Sequence, residues 1–143
     1  MHNVIPSEAT VIGTVRTFDP AVQERIAARI HQIARGVEAS FEVRATVHYE
    51  RYYPATINDA DAAEDVLAIA ATVARAERAA EPAPTSEDFS FMLQARPGAY
   101  IWLGQGEGDN PPPLHNPRYD FNDSVMETGI RLHVALAKHW LTD

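Results

Sequence analysis

The chain contains no cysteine in its 143 residues. This absence excludes disulfide bonds, thiolate nucleophiles and thiolate metal sites, although it says little about the cellular compartment. Positive charge is also scarce, because 12 Lys and Arg residues are set against 20 Asp and Glu residues, for a net charge of −8. Since the basic residues are scattered, this balance argues against a nucleic-acid partner or an anionic membrane surface.

Long hydrophobic runs are missing as well. The longest apolar-rich stretch, residues 66–76, is short and mostly alanine, so no membrane-spanning helix is predicted. The N-terminal residues show no positively charged region followed by an apolar core, which indicates no signal peptide. We therefore expect a cytoplasmic protein. Its composition, 45% hydrophobic and 22% charged, is typical of a globular protein of ordinary domain size.

The first part of the chain is predicted to follow the order β-α-β. Residues 8–17 are rich in β-branched side chains, which favours a strand. Asp19 then suits a helix N-cap, and apolar residues recur at helical spacing until the helix is expected to end near Gly36. Residues 42–50 alternate between apolar and polar, as a half-buried strand does.

The second part is predicted to consist of helices around one buried strand. An alanine-rich helix is expected over residues 62–80, and a short helix over residues 89–94. A final amphipathic helix is expected to begin after a cap at Asp123 or Ser124. Residues 99–103 are continuously apolar, which is typical of a strand buried on both faces.

These two patterns predict an α/β fold class with two domains. Residues 1–57 form the predicted α+β unit, and residues 58–143 form part of a layered α/β domain. The proposed boundary lies near the turn that follows Tyr53 and Pro54.

The most informative segment is residues 114–123, because it places a histidine in a loop close to carboxylates. His115 lies between prolines and is followed by Asp120 and Asp123. A loop imidazole beside carboxylates is a common way to present a metal ligand, and the prolines would hold the loop in place. The alternative is a loop histidine bonded to a carbonyl oxygen, with the acids acting as helix caps. One ligand does not make a metal site.

Two other groups of residues carry candidate chemistry. Glu87 and Asp88 are adjacent acids that suit either the dipole of a helix N-terminus or a role near the histidine loop. Asn3 and Arg16 are either a turn residue and a surface cation, or a polar pair that binds a carboxylate or an oxyanion. The sequence offers no serine-nucleophile elbow and no glycine-rich phosphate loop.

Four of these segments, in this order, resemble the M20 peptidase family, in the amidohydrolase branch that is similar to hippurate hydrolase and other N-acyl-amino-acid hydrolases. The resemblance runs nearly from end to end. Its segments are His2-Asn3-Val4-Ile5-Pro6, Gly13-Thr14-Val15-Arg16-Thr17-Phe18, Ser86-Glu87-Asp88-Phe89 and Leu114-His115-Asn116-Pro117-Arg118-Tyr119-Asp120-Phe121-Asn122-Asp123.

The resemblance implies a hydrolase of N-acyl amino acids or related amides. It implies a two-metal site, usually of zinc or manganese, in a catalytic α/β domain with an inserted lid that forms a homodimer. His115 matches the last metal-ligand histidine of such enzymes. Asn3 and Arg16 match lid residues associated with substrate binding, and His2 is a frequent neighbour of that asparagine.

The chain departs from the family pattern because family members are much longer. Their other metal ligands and their catalytic glutamate lie in an N-terminal half that these residues do not match. We therefore expect the C-terminal portion of such an enzyme, with 1–57 as part of the lid and 58–143 as part of the catalytic domain. No catalytic residue is predicted in this portion, which is expected to be inactive alone and metal-free, because a single histidine does not hold a divalent ion tightly. The alternative is a non-catalytic module for dimerisation or small-molecule binding.

Overall fold

The computed structural model describes residues 3–105 and 112–141. Over these ranges it contains four α-helices and one 3-10 helix, and no β-strand. The helices are α1 Pro20–Phe41, α2 Ala60–Ala71, α3 Phe89–Ala95 and α4 Met126–Leu141, with the 3-10 helix Asp123–Val125 directly before α4. None of the helices in the described ranges is both long and apolar enough to cross a membrane.

The chain divides into two compact units. The first unit comprises Met1–Ala55 together with Pro84–Ser86, and the second comprises Thr56–Ala83 and Glu87–Asp143. The first unit is therefore discontinuous in sequence, because a short segment from the middle of the chain returns to it.

The first unit is built around α1. The carboxylate of Asp19 accepts a hydrogen bond from the Ala21 amide at 2.7 Å, and Pro20 occupies the first turn, as the sequence predicts. The predicted end near Gly36 is wrong, since the helix continues to Phe41. A glycine inside a helix costs only about 1 kcal/mol relative to alanine, and the residues after it sustain the helix. The helix ends where Glu42 takes a left-handed conformation with a φ of 53°.

The segment after α1 is tied back to the helix by side chains. Arg51 donates from Nε to Glu24 Oε1 at 2.9 Å and from Nη2 to Glu24 Oε2 at 2.7 Å. The hydrogen bond from Arg51 holds the pKa of Glu24 below its ordinary value; desolvation opposes it with a smaller effect, and the charge of Arg51 adds a still smaller lowering. Glu38 also accepts a hydrogen bond from the Ala45 amide at 2.9 Å.

In the second unit, α2 packs against α4, and the core lies between them. Val66 on α2 and Leu132 on α4 are the buried apolar residues of this unit among those described. Asp59 caps α2 by accepting a hydrogen bond from the Ala62 amide at 3.0 Å. The core is small, so most of the large apolar side chains of the described chain remain partly or fully exposed.

The amide of Asn58 joins the start of α2 to the segment before Trp102. Its Nδ2 donates to the Tyr100 carbonyl at 2.9 Å, and its Oδ1 accepts from the Tyr100 amide at 2.8 Å. The Asp59 amide donates to the Gly98 carbonyl at 3.0 Å. One asparagine side chain therefore gives Tyr100 the two backbone hydrogen bonds that a neighbouring strand would give.

The predicted α/β fold class, with its β-α-β lid part and layered α/β part, is wrong for the described residues. The predicted strands over residues 8–17, 42–50 and 99–103 form no sheet. A strand is stable only when a second strand satisfies its backbone groups, and local composition does not supply that partner. Trp102 belongs to the segment predicted as a strand buried on both faces, yet it is 54% exposed. The alternation of residues 45–50 does persist in their burial, since every second side chain is partly covered.

Two predicted helices differ in their bounds or caps. The helix predicted over residues 62–80 ends at Ala71, where the hydroxyl of Thr72 donates to the Ile69 carbonyl at 2.7 Å. A side chain that bonds to its own turn competes with helix propagation. The final helix is confirmed, but the capping oxygen belongs to Asn122, which accepts a hydrogen bond from the Ser124 amide at 3.1 Å.

Candidate functional site

His115 lies in a tight turn with a strained backbone. The Asn116 amide donates to the Pro113 carbonyl at 3.1 Å, which places His115 third in a four-residue turn. Its φ is 70°, the left-handed value that a type II turn requires at this position and that glycine or asparagine normally supplies. The imidazole is exposed. A side chain held outward at such a backbone cost is characteristic of functional sites.

A second turn follows immediately and fixes the far side of the histidine loop. The Tyr119 amide donates to the Asn116 carbonyl at 2.9 Å, with Pro117 second in this turn, where its fixed φ is favourable. The Asn116 side chain also accepts a hydrogen bond from the Arg118 amide at 2.9 Å. Tyr119 then meets Phe121 edge to face, with 5.1 Å between the ring centres.

Two amide side chains close the base of this loop. Asn122 donates from Nδ2 to the Gln105 carbonyl at 3.0 Å, and its backbone amide donates to Gln105 Oε1 at 3.1 Å. Gln105 donates from Nε2 to the Asp120 carbonyl at 3.3 Å. The loop that carries His115 is therefore anchored directly before α4. Sequence reasoning missed this pair, because nothing in the 17-residue separation signals that the two amides meet.

The carboxylates predicted to orient the imidazole do not do so here. Within the described residues, no hydrogen bond or ion pair joins His115 to Asp120 or Asp123. Glu87 and Asp88 lie beside Tyr100 instead. Burial is the main cause of the raised pKa of the Tyr100 hydroxyl, and the charges of Glu87 and Asp88 raise it further.

Arg16 has two long-range partners. Its Nη1 donates to the Pro84 carbonyl at 3.1 Å and to the Ser86 hydroxyl at 3.0 Å. Both partners belong to the same unit as Arg16. The sequence pointed to Arg16 and to Ser86 in separate motifs, and the structure brings these two together.

The other two predicted substrate-binding residues, Asn3 and His2, lie at the start of the chain. Asn3 is exposed in a turn at the start of the described chain, and no hydrogen bond there joins it to Arg16. His2 lies outside the described residues. Asn3 and Arg16 belong to the first unit, whereas His115 belongs to the second.

The donor set does not fit a metal ion by itself. No group of three or more His, Asp or Glu side chains that suits a metal occurs in residues 3–105 and 112–141. A catalytic zinc ion needs about three protein ligands and an open position, and His115 alone provides one. These residues therefore assign no step of a reaction to a metal.

The second unit also contains an open cleft of about 560 Å³. Most of its wall is apolar and comes from α2, α4 and the segment before Trp102, with Val66, Leu136 and Trp140 among the lining side chains. Asp65 and His133 are among its polar groups. The Oδ2 atom of Asp65 lies 3.9 Å from Nε2 of His139.

Comparison with known proteins gives a family match over nearly the whole chain. Residues 4–139 match the sequence model of Peptidase family M20/M25/M40. Relatives with similar sequences are named N-acetyldiaminopimelate deacetylase. The one from Bacillus licheniformis is 34% identical over 135 residues, which cover 94% of this chain and 35% of that protein. The one from Shouchella clausii is 35% identical over 137 residues, covering 94% and 35% respectively.

The chain thus spans about a third of the length of the curated relatives that it matches. No solved structure shows a significant match.

Proposed function

Because the chain belongs to Peptidase family M20/M25/M40, we propose that it forms the C-terminal part of a metal-dependent amidohydrolase of N-acyl amino acids. The family match over residues 4–139 carries this proposal. The relatives' names include the removal of an acetyl group from an amino acid, which favours N-acetylated amino acids over a benzoyl compound such as hippurate. Residues 1–57 would then be part of a lid, and residues 58–143 part of the catalytic domain.

His115 is proposed to supply one metal ligand, for zinc or manganese. The other ligands of that site would come from the rest of the intact enzyme. Its support is local: the imidazole is exposed, its φ is 70°, and turns on both sides fix the loop. A neutral imidazole is a frequent ligand for both metals, and a fixed loop reduces the entropy lost on binding. His115 would hold such a metal together with ligands from the rest of the enzyme, and the metal would supply a Lewis acid for the amide carbonyl and for water.

Asn3 and Arg16, with His2 beside them, are proposed to bind the substrate. A guanidinium group presents a planar pair of N–H donors that suits the carboxylate of an amino acid. The asparagine amide is suited to the acyl carbonyl, because it can donate to a developing oxyanion. In a homodimer these groups would serve the active site of the partner subunit.

The chain alone is expected to be inactive, and this can be tested directly. The purified chain should not hydrolyse N-acetyl amino acids with zinc or manganese present, since one ligand holds a catalytic ion weakly. Mixing or co-expressing it with the remaining two thirds of the Bacillus licheniformis relative should restore hydrolysis. That activity should be lost with a chelator and with His115→Ala, and retained with the control His48→Ala.

Hydrolysis by the chain alone that disappears with His115→Ala would overturn the expectation of inactivity. Activity of the mixed protein that survives His115→Ala would remove His115 from the metal site.

A second candidate function is a non-catalytic module for dimerisation or small-molecule binding. The extent of exposed apolar surface favours it, since Ile5, Val11 and Ile12 are each more than 90% exposed. Extensive exposed apolar surface usually marks an interface. The absence of hydrolysis under every condition above, together with stable self-association, would favour this second function.

A further inference from the structure

The contacts of Arg16 differ from those of the arginines in the described chain that form ion pairs. Four arginines pair with a carboxylate, namely Arg51, Arg75, Arg78 and Arg131. Arg16 instead donates to a carbonyl and to a hydroxyl. Neutral acceptors leave the guanidinium charge uncompensated, in a chain whose net charge is −8. An uncompensated fixed cation is suited to an anionic ligand.

The two contacts also occupy one side of the guanidinium group only. Nη1 carries two N–H bonds, and they are used by the Pro84 carbonyl and the Ser86 hydroxyl. Two acceptors on one nitrogen fix both the position and the plane of the group. The edge formed by Nε and Nη2, which binds a carboxylate through two parallel hydrogen bonds, has no hydrogen-bond or ion-pair partner among the described residues.

We propose that Ser86, together with the Pro84 carbonyl, positions the guanidinium group of Arg16 to receive a substrate carboxylate on its Nε–Nη2 edge. This inference rests on the proposed function, in which Arg16 binds substrate. Ser86 is a positioning residue, since its hydroxyl accepts from Arg16 and it acts through that arginine. The benefit is preorganisation: an arginine side chain loses much rotamer freedom when it binds, and a side chain already held loses less.

The separation of the partners along the chain supports a specific role for this contact. Arg16 reaches residues 68 and 70 positions away, whereas Arg29 donates to Gln32 one helical turn further along α1. A contact within one turn follows from helix geometry. The Arg16 contact requires the segment Pro84–Ser86 to return to the first unit, as it does. Arg29 therefore provides a matched control, because it is an exposed arginine with a neutral partner.

The test uses the whole chain and two readouts. The side-chain Nε–H resonance of Arg16, observed by ¹⁵N NMR without ligand, reports whether the guanidinium is held. Titration with N-acetylglycine then reports carboxylate binding, and N-acetylglycinamide, which lacks the carboxylate, is the control ligand. The variants are Ser86→Ala, Ser86→Thr, Arg16→Lys and Arg29→Lys. Circular dichroism checks that each variant keeps its helix content.

Ser86→Ala is expected to increase motion of the Arg16 side chain and to weaken N-acetylglycine binding roughly twofold to tenfold, the net effect of one hydrogen bond. Ser86→Thr retains a hydroxyl and should restore both readouts. Arg16→Lys should weaken binding further, because lysine lacks the planar fork, while Arg29→Lys should leave it unchanged. N-acetylglycinamide should not shift the Arg16 resonance.

Two results would overturn the inference, and they differ in what else they affect. If binding requires Arg16 but Ser86→Ala binds as tightly as the wild type, the positioning role fails and the proposed function stands. If the wild type binds N-acetylglycine no better than Arg16→Lys does, the role of Arg16 in the proposed function fails, and the positioning role fails with it.

Discussion

His115 combines an exposed imidazole with a backbone conformation that its side chain disfavours. A left-handed φ costs a residue with a Cβ atom about 1–2 kcal/mol relative to glycine, and His115 has a φ of 70°. Only one other non-glycine residue of the described chain, Glu42, shares this conformation. Retaining histidine at such a position is more readily explained by its chemistry than by stability.

This strain leads to a prediction about stability. His115→Asn should raise the free energy of unfolding by up to about 1 kcal/mol, because asparagine tolerates the left-handed region. His115→Val should lower it by about 1 kcal/mol or more, since a β-branched side chain is most disfavoured there. Urea denaturation measures both changes. His48→Asn, at another exposed histidine without positive φ, should change stability little, and equal effects at the two positions would contradict the explanation.

At the scale of single elements, α1 also ends at a residue with a left-handed backbone, and replacing that residue should change stability. Glu42 follows the helix with a φ of 53°, at the position where glycine most often ends a helix. Glu42→Gly should therefore raise the free energy of unfolding by roughly 0.5–1 kcal/mol. The control Ser40→Gly lies inside the helix and should lower it by about 0.5 kcal/mol. Thermal unfolding of the two variants would contradict this account if both moved in the same direction.

The contact between α1 and the segment after it should depend on pH. In this contact, the hydrogen bond from Arg51 lowers the folded-state pKa of Glu24 from an ordinary value of 4.5. A lowered pKa means that the stabilisation is present above the unfolded-state pKa and is lost as the pH falls through the folded-state value. The effect is small and sensitive to salt because the pair is exposed.

Unfolding free energies of wild type and Glu24→Gln between pH 6 and pH 3 test this dependence. The difference between the two proteins should shrink as the pH falls below about 4.5. A constant difference over this range would show that the Glu24 carboxylate does not contribute through its charge.

At the scale of the whole molecule, the extent of exposed apolar surface predicts self-association. The described residues contain no strand, so an exposed sheet edge does not contribute to it. Ile5, Val11 and Ile12 are instead 93%, 97% and 91% exposed, and the hydrophobic effect favours covering them. Sedimentation velocity at tens of micromolar should show dimers or larger species.

Ile12→Asp should shift this equilibrium toward the monomer, because it replaces an exposed apolar side chain with a charge. Thr10→Asp adds the same charge at a nearby exposed polar position and should have a smaller effect. A wild-type chain that sediments as a monomer would exclude self-association through this region.

The sequence predicted those features of the molecule that depend on neighbouring residues. Asp19 and the face of the final helix are local signals, and both helices form, although α1 continues past its predicted end to Phe41. The absence of a strand over residues 99–103 was not predictable in this way, because a strand depends on a partner from elsewhere in the chain. The same distinction between local signals and long-range contacts applies to the candidate site. The turn around His115 is signalled by its prolines, whereas the contact of Arg16 with Ser86 spans 70 residues and has no local signal.

The amide of Asn58 has a consequence for the chemical lifetime of the protein. Asparagine amides are thermolabile, and hydrolysis of this one would replace Nδ2 with a second carboxylate oxygen. That oxygen would face the Tyr100 carbonyl, to which Nδ2 now donates, and two acceptors repel each other. Storage at high temperature would therefore weaken the attachment of Tyr100 through a covalent change. The damaged chains would be recognised by their added negative charge before any helix had unfolded.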